Sequence, residues 1–207
     1  MPTSNPGFFQ HSPHNMTAFR ATIKTQLLEL YNSQRIRTAL KDVGEYYYRF
    51  SQLIDNDILA DSLLSNPQQL HDHINTDQAR MDFVSILSDL AIYKIQDALA
   101  CAGIEWPAGN VNDAIEEGTH QLAEKRYLQS ERAHKAGKRG DHQEREAAEA
   151  EHDHYQNQWS RVRNWTVVFE KLQTLSTDIT TVMNNILPVN DNYLPMIFPT
   201  VPTSPHP

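Results

Sequence analysis

The stretch YQNQWSRVRNWTVVFEKLQTLSTDITTVMNNI, residues 155–186, decides the fold. Tyr155, Trp159, Val162, Trp165, Phe169, Leu172, Leu175, Ile179, Val182 and Ile186 recur in steps of three and four. That spacing stacks side chains on one stripe of a helix. Neither proline nor glycine interrupts the run, so it reads as one long helix with a seam of coiled-coil type about four and a half heptads long. A stripe of this length is stable in water only if other helices cover it.

Upstream, the same steps repeat. From Phe19 they run through Ile23, Leu27 and Tyr31, and from Ile36 through Leu40, Val43, Tyr47, Phe50, Ile54 and Ile58 as one continuous segment. A third segment, Val84 to Ala102, is entered after Asn75 or Thr76 as a cap and closed by Gly103. A fourth opens near Asn110 or Asn112 and ends at Gly137 and Gly140, before Asp141 caps the long helix. Pro67, behind Asn66, suits the first turn of a short helix over PQQLHDH. No alternating strand pattern occurs. The expected fold is all-α: an elongated helical bundle with a long C-terminal coiled-coil-like helix.

Proline marks the boundaries, because it removes a helix donor and clashes with the preceding turn. Of eleven prolines only Pro67 and Pro107 fall within residues 14–187. The expected organisation is an extended N-terminal arm over 1–14, a single helical domain over 15–187, and a Pro-rich C-terminal arm over 188–207.

A net charge of −8 and no dense Lys/Arg stripe make nucleic acid an unlikely partner. No run approaches the roughly 20 apolar residues needed to cross a bilayer, so membrane insertion is not expected. Cys101 is the only cysteine, which excludes an internal disulfide. Its shared face with Phe83 and Leu90 predicts a buried structural thiol. The opening residues lack the basic start and apolar run of a classical signal peptide. The expectation is a soluble protein, cytoplasmic or exported by another route as part of an assembly.

Charge is segregated. Residues 1–50 hold six Lys/Arg against three acids, whereas 51–105 hold two against nine. The basic set (Arg20, Lys24, Arg35, Arg37, Lys41, Arg49) is complementary to the acids Asp55, Asp57, Asp61, Asp72, Asp77, Asp82, Asp89 and Asp97, within a chain or between neighbours.

Just before the seam, EREAAEAEHDHYQNQW (144–159) concentrates acids and histidines. Glu-x-x-His is the ligand step of helical di-iron proteins, and it occurs at Glu117/His120, Glu131/His134, Glu149/His152 and Glu151/His154. A helix turns about 100° per residue, which puts His142, Glu146, Glu149 and Asp153 on the side away from the stripe. Glu144 and Glu151 point near it. The metal candidates are therefore Glu144, Glu151, His154, Glu117 and His120, against the plainer reading of a solvated helix face, and no cofactor is expected. His71-Asp72-His73 is too short to define a metal geometry. Ten histidines predict some pH sensitivity. Arg139-Gly140-Asp141 is explained locally by a helix end and a cap. No Gly-rich phosphate loop and no nucleophile–base arrangement is present, so an enzyme is not expected.

Tyr46-Tyr47-Tyr48 with Phe50 covers most of a helical turn, so at least one ring must face outward or into an interface. With Trp159, Trp165, Phe169, Tyr193 and Phe198 these are the candidate interface residues. The expected function is a non-enzymatic structural protein that self-associates, a filament, shell, virion-type or secretion-apparatus subunit, with copies of itself as partner. The alternatives are a metal-binding bundle with a redox or storage role, and an adaptor or chaperone holding a partner helix.

Overall fold

The helices begin where the caps put them. Thr76, Asn110 and Asp141 each accept, through the side-chain oxygen, the backbone N–H three residues on, which satisfies a donor with no partner inside the helix. The computed structural model describes residues 13–185. Among these the helices are α1 (Pro13–Asn32), α2 (Gln34–Asp42), α3 (Gly44–Ile54), α4 (Asp57–Ser65), a 3-10 turn (Pro67–Asp72), α5 (Asp77–Cys101), α6 (Val111–Arg139) and α7 (His142–Asn184), with no strand among the described residues. The all-α fold and its long last helix are as expected. Residues 1–12 of the expected N-terminal arm and all of the C-terminal arm, with Tyr193 and Phe198, lie outside the described residues, whereas Pro13 and His14 belong to the backbone of α1.

Two helix ends use glycine in the left-handed region. At Gly103 (φ +66°) the Ile104 N–H donates to the Leu99 carbonyl, and at Gly140 (φ +73°) the Asp141 N–H donates to the Ala136 carbonyl. Both are Schellman closures, where a Cβ would be strained. Gly137 ends nothing: it lies inside α6, which continues to Arg139. The expected stop at Gly137 was one glycine too many.

The continuous helix expected from Ile36 to Ile58 is broken twice. Val43 leaves the helix between α2 and α3, and Asp55 takes φ +57° between α3 and α4, where Asn56 caps the next helix through the Leu59 N–H. Asp and Asn enter the left-handed region more readily than other non-glycine residues. The break turns Ile58 outward, 85% exposed.

α7 is the central helix. His154, Arg161 and Ser176 on α7 bond to Cys101, Asp97 and Met81 on α5, so the two run antiparallel. Gln173, Gln156 and Glu144 meet Asn112, Arg126 and Arg132 on α6, which is antiparallel as well. α5 and α6 therefore run in the same direction, and residues 102–110 carry the chain back between them. Ile104 is buried in that return, and Trp106 packs against the core.

The seam of α7 is buried at Val162, Trp165, Phe169, Leu172, Leu175, Ile179 and Val182, each large side chain contributing about 1.5–3 kcal/mol by the usual measure. At the other end α1, α2 and α3 pack on α5, α1 also reaches α7, and α4 rests on α2, α3 and the 3-10 turn. Tyr31, Phe50 and Phe83 join α1, α3 and α5 in one aromatic cluster, with centroids 5.5 to 6.0 Å apart. α5 and α6 touch at Gly118, where a Cβ would stand 2.5 Å from Leu99 Cδ1.

Cys101 is exposed, not buried. α3 covers α5 antiparallel, Tyr46 beside Tyr93 and Arg49 beside Asp89. Cys101 lies two turns past Tyr93, beyond the start of α3, so the face it shares with Leu90 is uncovered there. No helix among the described residues is long and apolar enough to cross a membrane.

Candidate functional site

The two inward acids of α7 meet a basic side chain. Arg132 on α6 donates from Nε to Glu144 Oε1 (2.6 Å), from Nη2 to Glu144 Oε2 (3.1 Å) and from Nη1 to Glu151 Oε1 (3.4 Å). A planar guanidinium meets a carboxylate best in this forked geometry. The hydrogen bond from Arg132 holds the Glu144 carboxyl below its ordinary value, and the same bond raises Arg132 further.

The remaining metal candidates are dispersed. His154 donates from Nε2 to the Cys101 carbonyl at the end of α5 (3.1 Å). Glu117 accepts from Gln121 on its own helix (2.8 Å). His120 is exposed. His71 contacts Asp72 beside it. Among the described residues no group of three or more His, Cys, Asp or Glu is arranged to hold a metal ion. The sequence step placed Glu and His on shared helix faces; His134, Glu149 and His152 do line one cleft, but not in a grouping that could hold an ion.

Asp141 of the Arg-Gly-Asp tripeptide is engaged in capping α7 at the Glu144 N–H. Of the three alanines that precede the seam, Ala148 is buried, whereas Ala147 and Ala150 are exposed. One close approach of α7 to α6 is thus built there, not a full alanine face.

The candidate interface aromatics divide by burial. Phe50 is fully buried, and Tyr46, Trp165 and Phe169 are 5 to 8% exposed, so these four belong to the chain's own core. Tyr47 is half-buried and donates its hydroxyl to Asp61 (3.0 Å). Burial first, then that bond to a carboxylate, raises the Tyr47 phenol above its ordinary value. Tyr48 points outward, 63% exposed. Trp159 is half-buried, and its ring carries two guanidinium groups, Arg126 at 4.9 Å and Arg163 at 5.3 Å from the centroid, which cover the indole without removing it from water.

The segregated charges close within the chain at two places, Arg20 with Asp77 and Arg49 with Asp89 (2.7 Å). Asp97 is met instead by Arg161 of α7. Asp77 also receives Arg80, which is 6% exposed and donates to the carbonyls of Ile74 and Asn75. Sequence reasoning passed over Arg80, because a charge inside an apolar helix is read as its wet side. Large apolar side chains that face outward are Tyr48, Ile58, Tyr93, Tyr127, Leu128 and Val167.

No protein-family model matches the chain, and neither a characterised protein nor a solved structure is similar to it at a significant level.

Proposed function

We propose that this chain is a non-enzymatic helical structural protein that associates with copies of itself. The observation that carries the reading is the outward placement of Tyr48 and Ile58, 63% and 85% exposed, on neighbouring helices α3 and α4. Ile58 is turned out by the break at Asp55, and Tyr48 is the ring of the tyrosine run that cannot share the core face with Tyr46 and Phe50. Tyrosine is favoured in interfaces because it buries a large ring yet keeps its hydroxyl hydrated.

Two parts of the expected interface are reassigned. The seam aromatics Trp165 and Phe169 fill the chain's own core, and the charge pairs Arg20–Asp77 and Arg49–Asp89 are internal. Association then falls to the α3–α4 surface and to the terminal arms. The metal-binding alternative loses its best ligands, since Arg132 already occupies Glu144 and Glu151.

Light scattering coupled to size exclusion, over a wide range of protein concentration, tests the reading. The expected result is a defined oligomer that grows with concentration and appears as regular particles by negative-stain microscopy. A chain that stays monomeric at the highest concentration overturns it. Removal of residues 189–207 is expected to lower the oligomeric order while helical circular dichroism persists.

A further inference from the structure

Beside the turn at Gly140, between α6 and α7, lies a cleft of about 550 Å³. His134 and Lys138, four residues apart, line it from α6. Arg145, Glu149 and His152 line it from α7. Within the cleft lining these four basic side chains meet one acid, Glu149, while His152 Nδ1 also lies 3.3 Å from Asp153 beside it and Glu146 acts on Arg145 from the cleft's rim. Glu149 is engaged by Arg145 Nε at 2.7 Å, and no bond to either terminal nitrogen of Arg145 is found among the described residues.

One turn further from the hairpin end the charges are balanced. Lys135 pairs with Glu131, and Arg132 with Glu144 and Glu151. Lys138 has no ion-pair partner among the described residues. The C-terminal end of α6 and the N-terminal end of α7 lie side by side there, so their dipoles oppose one another and the side chains set the local field.

Gly137 adds a separate observation. A Cβ at this position would meet nothing nearer than Arg145 Cδ at 3.7 Å, an ordinary contact. Packing does not require a glycine inside this helix, where glycine costs about 1 kcal/mol against alanine. The missing side chain leaves open the part of the cleft that lies between Lys138 and Arg145.

We propose that this cleft is an oxyanion site for a phosphate-class ligand, gripped by Lys138 and the free end of Arg145, with His134 and His152 as flanking donors. A guanidinium fork and a nearby ammonium are the pair best suited to a tetrahedral dianion. Glu149 competes for Arg145 and sets the affinity low.

The test uses the full chain at low ionic strength with two probes: inorganic pyrophosphate by titration calorimetry, and vesicles of phosphatidylcholine with or without phosphatidic acid by flotation. The first reports a soluble phosphate, the second a lipid headgroup. Saturable binding to either probe is expected. The double variant Lys138→Gln/Arg145→Gln should weaken it at least about tenfold, through loss of charge-assisted hydrogen bonds, with an unchanged melting curve because both side chains are exposed. Glu149→Gln should tighten binding by releasing Arg145. Absence of saturable binding to both probes, binding indifferent to the double variant, or weaker binding by Glu149→Gln would each overturn the proposal.

Discussion

Arg132 on α6 holds both carboxylate oxygens of Glu144 on α7, at 2.6 and 3.1 Å, and reaches Glu151 seven residues further along the same helix. The cation neutralises two acids that would otherwise face each other's charge at the α6–α7 contact. Arg132→Ala should lower the melting temperature at neutral pH. The Glu144 carboxyl is held below its ordinary value of 4.5 in the folded chain, so its stabilising contribution is complete above that pH and is lost as pH falls through the lower, folded value. The melting-temperature gap between wild type and variant should therefore shrink below about pH 4.5. A gap that stays constant down to pH 3 would assign the effect to lost packing by the arginine stem instead.

Two glycines in α6 should respond oppositely to the same substitution. At Gly118 an added Cβ stands 2.5 Å from Leu99 Cδ1, inside the contact with a fully buried leucine. At Gly137 it stands 3.7 Å from the nearest atom, on an exposed arginine. Alanine gains about 1 kcal/mol of helix propensity over glycine, and overpacking a core costs about 1–3 kcal/mol. Gly137→Ala should stabilise by up to about 1 kcal/mol, and Gly118→Ala should destabilise by up to about 2 kcal/mol once the two effects are set against each other. Urea denaturation of both variants reads the signs directly, and a stabilised Gly118→Ala would show that Leu99 has room to turn away.

The contrast between these glycines also shows where sequence reasoning stops. Caps at Thr76, Asn110 and Asp141, the glycine ends at Gly103 and Gly140, and the buried seam of α7 were legible because each depends on a few neighbouring residues. The breaks at Val43 and Asp55 were not, since the three-and-four step of apolar residues continues across both. Cys101 shares the helix face of Leu90, yet its exposure depends on where α3 begins, in another part of the chain. The Arg132 clamp was half legible: periodicity turned Glu144 and Glu151 inward, but a partner 12 and 19 positions away across a helical hairpin had no local signal. The parallel run of α5 and α6, set by the extended return through Ile104 and Trp106, had none either.

Tyr31 is fully buried between Phe50 and Phe83, and its hydroxyl has no hydrogen-bond partner. An unpaired buried hydroxyl costs about 1–3 kcal/mol, so Tyr31→Phe should keep both ring contacts and raise stability by up to that amount. Burial pushes the Tyr31 phenol well above its ordinary value of 10.0. The folded state thus favours the neutral form, a contribution complete below pH 10 and lost as pH rises from there toward the folded value. Above pH 10 the wild type should lose stability more steeply than Tyr31→Phe. Denaturation at pH 8 and pH 10.5 checks both points, and a destabilised Tyr31→Phe would mean that the hydroxyl does have a partner.

Arg80 is 6% exposed and binds the carbonyls of Ile74 and Asn75 together with the Asp77 carboxylate. It fixes the turn between the 3-10 segment and α5, holding the two residues that precede the Thr76 cap. Arg80→Met keeps the stem but leaves two carbonyls without this donor, while Asp77 retains Arg20 at 3.1 Å. Removing one member of a buried charge network costs about 3–5 kcal/mol, and the surviving Arg20 contact places the expectation at the lower end. A double-mutant cycle with Arg20→Met should show coupling between the two arginines through Asp77. Strictly additive losses would separate Arg20 from the network.

Tyr48 and Ile58 supply the sharpest test of self-association, because their side chains are exposed and their removal should leave the core intact. Tyr48→Ser with Ile58→Ser is expected to preserve the melting temperature, since exposed positions away from special contacts seldom change stability by more than about 0.5 kcal/mol. The same double variant should shift the monomer–oligomer equilibrium toward monomer at least about tenfold, the effect of losing about 1.4 kcal/mol at the centre of a contact. Sedimentation equilibrium at several concentrations measures both species. Tyr127→Ser with Leu128→Ser, exposed to a similar degree on α6, serves as the comparison: if it disrupts the oligomer and the α3–α4 variant does not, the contact lies on the α6 surface and the α3–α4 assignment is wrong.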